Sequence, residues 1–179
     1  DWYEKIDSVF GLHIWSGLDS GKISLESGER MAAADRFMVN IKGKSGHGSM
    51  PHQTVDAVVV ASATVMNLQT IVSRKYAPLD PLVISVGSIH SGDAFNVISG
   101  EATLDGTVRY FNKAIGDSIV DSIQNVIKST ASLYGATSEL KYFKYIPPLY
   151  NDEGASLGAR HAAIKVLGED FFVPMAETT

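Results

Sequence analysis

A two-layer α+β fold is predicted for residues 37–146: an antiparallel four-stranded sheet with two helices on one face, in the order β-α-β-β-α-β. Three observations lead there. Residues 37–42 and 102–110 alternate apolar and polar side chains, the period of a half-buried strand. Residues 54–72 and 115–130 switch to the helical period. Gly, Asp, Ser and Pro clusters separate these runs, and covering one sheet face is the economical way to bury both helical stripes.

In chain order, Val9-Phe10-Gly11-Leu12-His13-Ile14-Trp15 is a short apolar run that predicts a buried strand ending near a histidine. Gly17 to Gly28 is turn-rich, and Phe37, Val39 and Ile41 mark the first strand of the layered unit. Thr54 is the expected N-cap of the first helix, whose stripe is Val55, Val58, Val59, Ser62, Val65, Met66 and Val72. Asp56 in the first turn and Arg74-Lys75 at the end suit the helix dipole. After a Pro-containing loop, Leu82, Ile84 and Val86 begin a strand, and turns follow at Ser91-Gly92-Asp93 and Ser99-Gly100-Glu101. In the next strand Ala102, Leu104, Gly106, Val108 and Tyr110 form the apolar face; Thr103, Asp105, Thr107 and Arg109 form a polar one. Ile115, Ile119, Ile123, Val126, Ile127 and Thr130 line one side of a second helix, which Gly135 should stop. Leu140 to Ile146 is a last strand, closed by Pro147-Pro148, and a short helix bearing Leu157, His161, Ile164 and Leu167 lies beyond it.

Composition narrows the function classes. The 179 residues are 45% hydrophobic and 20% charged, an ordinary globular balance. A net charge of −5 without a Lys/Arg cluster argues against nucleic acid or an anionic membrane as partner. No apolar run approaches the roughly 20 residues of a membrane span, and no signal-peptide pattern opens the chain. The absence of cysteine excludes disulfides and thiolate zinc sites within these residues. A start at Asp1 without Met, and an end at Thr178-Thr179 directly after an apolar stretch, read as a fragment of something longer.

The richest stretch chemically is Gly43-Lys44-Ser45-Gly46-His47-Gly48-Ser49-Met50-Pro51-His52. Glycine permits close backbone approach, so an imidazole among three glycines suggests a side chain aimed at something bound; a solvated strand-to-helix turn is the other reading. Gly43-Lys44-Ser45 is not a phosphate loop, because Met38 stands where that motif needs glycine. Gly46 to Met50 is not a nucleophile elbow, because Gly48 occupies the serine position.

Four segments in order, Gly11-Leu12-His13-Ile14-Trp15, Gly46-His47-Gly48-Ser49-Met50-Pro51-His52, Asp93-Ala94-Phe95-Asn96-Val97-Ile98 and Gly106-Thr107-Val108-Arg109, give the chain a family likeness. It resembles the metal-dependent aminoacylase and carboxypeptidase family, in the branch of hippurate hydrolases and plant indole-acetyl-amino-acid hydrolases. The resemblance implies a lid, or dimerisation, domain at 31–147, with remnants of an α/β catalytic domain at 1–30 and 148–179. It implies a metal-dependent amidohydrolase cleaving N-acyl amino acids, with two divalent ions (zinc, manganese or nickel) in the complete enzyme and homodimerisation through the lid; a cytoplasmic location is the expectation, with an organellar one as the alternative. The family's paired glutamates, first metal motif and late histidine ligand have no counterpart here, so the fragment alone should be inactive. By the same resemblance His13 is a metal ligand, His47 an oxyanion-stabilising catalytic donor acting in a partner subunit, and Asn96 and Arg109 bind the substrate's amide and carboxylate. His52 supports the loop, and His90 and His161 are structural. Each residue has a plainer reading: His13 as a core histidine ending an apolar strand, Arg109 as an exposed charge pair with Asp105 or another acid. The competing function is a non-catalytic amino-acid-binding regulatory module, or a purely associating one.

Overall fold

The structure, a computed structural model, describes residues 2–175. Its elements are β1 (Gly28–Met31), β2 (Ala34–Lys42), β3 (Gly46–His47), α1 (Ala57–Thr70), β4 (Leu82–Ser91) and β5 (Val97–Ile98). There follow β6 (Glu101–Tyr110), α2 (Lys113–Leu133), β7 (Thr137–Ile146), β8 (Leu149–Asn151) and α3 (Glu153–Leu167). They form two compact units: Ala32–Pro148, and the segments on either side of it.

The Ala32–Pro148 unit is the two-layer α+β fold. Its sheet runs β4-β6-β2-β7, every neighbouring pair antiparallel, so the two strands read most clearly from alternation, β2 and β6, are the central ones. The helix-facing side chains of β2 and β6 (Phe37, Val39, Ile41, Leu104 and Val108) are buried against Leu68 of α1 and Ile119, Ile123 and Ile127 of α2. Gly106 makes room for this packing: a Cβ there would lie 2.2 Å from the Phe37 ring and 2.6 Å from the Ser85 carbonyl oxygen. The α2 stripe is buried much as its period predicts; Asn112 caps its start, and Gly135, at φ +77°, ends it.

The start and face of α1 differ from expectation. Thr54 does not cap it; its hydroxyl donates to the Pro51 carbonyl at 2.9 Å. Val55 is still extended, exchanging both backbone hydrogen bonds with Lys44, so the helix cannot begin before Asp56. The Asp56 carboxylate then accepts from the N–H groups of Val58 and Val59. The buried stripe is Ala57, Val60, Ala61, Thr64, Leu68 and Ile71, whereas Val58, Val59 and Met66 face outward. Alanines at 57 and 61 let the helix approach the sheet closely, and the Thr64 hydroxyl is satisfied by the Val60 carbonyl at 2.8 Å. The helical stretch Ala57–Lys75, with a wider last turn, also reaches the length and mean hydropathy (1.2) of a membrane span, contrary to the sequence reading. Its face on the sheet makes it the core helix of this layer.

In the other unit, β1 pairs antiparallel with β8, Ile23 bridges Phe172, and the Arg160 guanidinium lies 4.4 Å over the Phe172 ring. Asp152 caps α3 by accepting from the Ala155 N–H at 2.8 Å. Residues 9–15 are not the buried strand expected of them: Leu12 and Ile14 are 86% and 88% exposed, and no described residue pairs with that run. An apolar run becomes a strand only when a neighbouring strand takes its N–H and C=O groups; the Trp15 carbonyl accepts the Leu18 N–H at 3.1 Å in a local turn, and no ladder forms on the run among the described residues.

Candidate functional site

Beyond Lys42 and Glu101 the β2–β6 ladder continues as a narrow ribbon. Gly43 N–H donates to the Gly100 carbonyl at 2.7 Å, then Gly46 pairs with Ile98 and His47 with Val97. The glycines serve the chain's own crossings. A Cβ on Gly43 would sit 2.2 Å from the Val55 carbonyl oxygen, and one on Gly48 would sit 2.8 Å from that of Asn96, which already accepts the Gly48 N–H at 2.8 Å. None of Gly43, Gly46 and Gly48 has positive φ, so space is what demands glycine here.

The ribbon holds the His47 ring in a defined state. Its Nδ1 accepts the Ser49 backbone N–H at 3.2 Å and lies 2.9 Å from the Ser49 hydroxyl. A backbone N–H can only donate, so a neutral ring that accepts it at Nδ1 carries its proton on Nε2, a nitrogen without a hydrogen-bond partner among the described residues. An exposed imidazole with an outward N–H donor is suited to an oxyanion. Ser49 sets this tautomer, and sequence reasoning missed it; a polar residue two positions after the histidine was the available signal. Asn96 is placed beside His47 by the Gly48 bond, and its side-chain amide has no partner among the described residues.

Arg109 lies elsewhere. It occupies the helix-free face of β6, half-buried, with an Nη1 hydrogen bond to the Thr107 hydroxyl and another to the Val108 carbonyl at 3.1 Å. Its plainer reading, a pair with Asp105, does not hold. Asp105 is bound by the Arg36 side chain, whose Nε donates to Oδ1 at 2.9 Å and whose hydrogen bonds hold that carboxyl below its usual range. The surrounding depression, about 420 Å³, is bordered by Arg36, Ser85, Thr107 and Tyr145. Arg109 lies eight positions along β6 from Glu101 (101 to 109), on the order of 26 Å of strand at ~3.3 Å per residue, while Val97 and His47 lie beyond the Glu101 end. His47 and Asn96 therefore share one end of the sheet, and Arg109 occupies the other.

His13 belongs to the unit flanking Ala32–Pro148. It is exposed, its Nδ1 lies 2.6 Å from the Ile14 carbonyl oxygen, and its ring leans on Trp15 with centroids 5.5 Å apart. No group of three His, Asp or Glu side chains able to hold a metal exists among the described residues. These residues do not by themselves fit a divalent ion, and His13 is a candidate ligand outside any such group. His90 lies on the edge strand β4 opposite Thr103, and His161 on α3.

The model of the peptidase dimerisation domain matches residues 33–134, more than half the chain, and covers the two-layer unit from β2 through α2 but not Ala32 or the strand β7 that follows. The chain belongs to that family. The dimerisation domain and its flanks are 43% identical over 152 residues to an N-acyl-L-amino acid amidohydrolase of Geobacillus stearothermophilus, covering 84% of this chain and 41% of the relative. They are 31% identical over 176 residues to the IAA-amino acid hydrolase ILR1-like 4 of Arabidopsis thaliana, covering 96% and 40%. Among solved structures, the Bacillus subtilis YXEP protein, described as a dinuclear metal binding peptidase from the M20 family, superposes with TM-score 0.69 at 30% identity. That match covers 93% of this chain and 40% of YXEP. The chain thus spans about two fifths of the length of the relatives it matches.

Proposed function

We propose that the whole protein is a metal-dependent amidohydrolase that splits N-acyl amino acids into a carboxylic acid and a free amino acid. In this reading 31–147 is its lid, and the flanking residues are edges of the catalytic domain. The observation that carries the proposal is the His47 ring: its Nδ1 is occupied by Ser49, and its Nε2–H is left as an outward donor on a braced ribbon. When water adds to an amide carbonyl, negative charge gathers on the oxygen, and a fixed donor there lowers the barrier by about 2.7–4 kcal/mol. Asn96 supplies a second polar group beside it, and Arg109 can grip a carboxylate with two parallel hydrogen bonds. The divalent ions implied by the relatives would need ligands besides His13.

A single copy cannot present both ends of the sheet to one small substrate. The reading therefore includes a homodimer in which one copy gives His47 and Asn96 and the other gives Arg109. The contact favoured by the sequence is the β4 edge with α1, which lies over β4 and β6. Neither Leu82–Ser91 nor Ala57–Ser73 contains Lys, Arg, Asp or Glu, whereas the other edge, β7, carries Glu139, Lys141 and Lys144. Charged side chains, lysine above all, keep an edge strand from pairing; their lack on β4 leaves it open to a second copy.

Complementation in the full-length enzyme tests this. His47→Ala alone should lower kcat by about 10²–10³-fold. Mixing His47→Ala with Arg109→Ala should restore one intact site per mixed dimer, about a quarter of wild-type activity if the copies exchange at random. If both side chains come from the same copy, every mixed site keeps one defect and activity does not return.

A further inference from the structure

Phe95 is 104% exposed, so its ring touches almost nothing of its own chain. It is held in place nonetheless. Phe95 and Asn96 are the central residues of a turn closed by the Val97 N–H to the Ala94 carbonyl at 3.3 Å, and the Gly48–Asn96 hydrogen bond ties this turn to the histidine loop. Val97, two positions on, is the direct cross-strand partner of His47, which puts the Phe95 and His47 backbones on the order of 10 Å apart. Met50, closing its own turn back to the His47 carbonyl, and Val97 are also exposed, at 46% and 50%. Three uncovered apolar side chains thus share the ribbon end with one outward N–H donor. Phe95 also borders a groove of about 520 Å³ that runs past Gly48, Val58 and Val97.

We infer that Phe95 is a specificity-determining residue that forms the apolar wall for the acyl group of the substrate, so that acyl groups with a large apolar body are preferred over acetyl. This rests on the amidohydrolase reading above. If His47 donates to the scissile carbonyl oxygen, the acyl group starts one bond from that carbon, at the ribbon end. The carboxylate of the amino-acid half is directed to Arg109 of the other copy, so the side facing Phe95, Met50 and Val97 is left to the acyl half. Burying a phenyl ring against this wall corresponds to discrimination of roughly 10- to 100-fold in kcat/KM.

The test uses the full-length enzyme with N-acetyl and N-benzoyl derivatives of one amino acid. Phe95→Ala should lower the benzoyl-to-acetyl ratio of kcat/KM by about tenfold or more, and Phe95→Leu should restore most of it. Sedimentation velocity of each variant should show an unchanged dimer. An unchanged ratio, or equal losses on both substrates with a weakened dimer, would overturn the inference and make Phe95 a contact between protein surfaces. If the wild-type enzyme hydrolyses neither compound, the amidohydrolase reading itself falls, and this inference with it.

Discussion

Asp35 shows how one buried residue can brace a sheet. It is 2% exposed on the helix-facing side of β2, and its Oδ2 accepts from Tyr142 on β7 at 2.9 Å and from Tyr110 on β6 at 3.2 Å. One carboxylate thereby joins three strands, while its Oδ1 has no partner among the described residues. Asp35→Ala would leave two hydroxyls without their acceptor, a loss of about 2–6 kcal/mol at 1–3 kcal/mol for each group left unpaired. Asp35→Asn keeps one acceptor oxygen and should lose markedly less, as urea unfolding of the two variants would measure; an alanine variant as stable as wild type would remove the bracing role. The same contacts sensitise the fold to base. Burial first, and the Asp35 charge second, push Tyr110 from 10.0 up to about 12; burial first, and the hydrogen bond to Asp35 second, raise Tyr142 further. A raised pKa means that the fold disfavours the tyrosinate. This contribution to stability is complete below pH 10 and is lost as the pH climbs through 12.

At the scale of elements, the asymmetry between the two helices is the informative feature. α2 buries a clean isoleucine stripe and shows solvent Lys113, Asp117, Asp121 and Lys128. α1 is apolar on both sides: its alanine and leucine face meets the sheet, and Val58, Val59 and Met66 remain outside. Outward-facing valines and methionine beside an uncharged edge strand are what a second copy would cover. Val59→Glu combined with Met66→Glu should leave the monomer folded, since both side chains are already exposed at 46% and 69%. It should weaken the dimer by at least about 100-fold, because each carboxylate would be forced against apolar surface or its own copy. Lys141→Glu on β7 should not change the association. Equilibrium sedimentation of the full-length protein separates these outcomes, and the reverse pattern would move the interface to the β7 edge.

For the molecule as a whole, chemistry and scaffold lie in different places. The 179-residue chain carries an oxyanion donor, an amide-binding asparagine and a carboxylate-binding arginine in the proposed reading, but its one candidate metal ligand, His13, belongs to no group of three potential ligands among the described residues. Produced by itself and dialysed, this chain should retain well under one zinc per chain by elemental analysis and should not turn over hippurate. Stoichiometric retention would show that residues here assemble a site that the present geometry does not bring together.

How much of this was legible beforehand follows from the range of the forces involved. Period and spacing are local, and they were sufficient for β2, β6 and α2, whose alternation and isoleucine stripe admit one buried face. The order of motifs sufficed for the family. Period could not choose the face of α1, because valines lie on every side and only contact with the sheet shows that the alanines go in. Nor could it settle residues 9–15, where a strand depends on partners that the local sequence does not contain. The glycines of the histidine loop looked suited to a ligand, yet their immediate reason is the passage of Val55 and Asn96, which lie 12 and 48 positions away (43 to 55 and 48 to 96). The proton on His47 Nε2, the bracing by Asp35 and the separation of Arg109 from His47 were likewise decided only in three dimensions. Each depends on which distant backbone or side-chain group comes within hydrogen-bonding range, and chain order alone does not encode that distance.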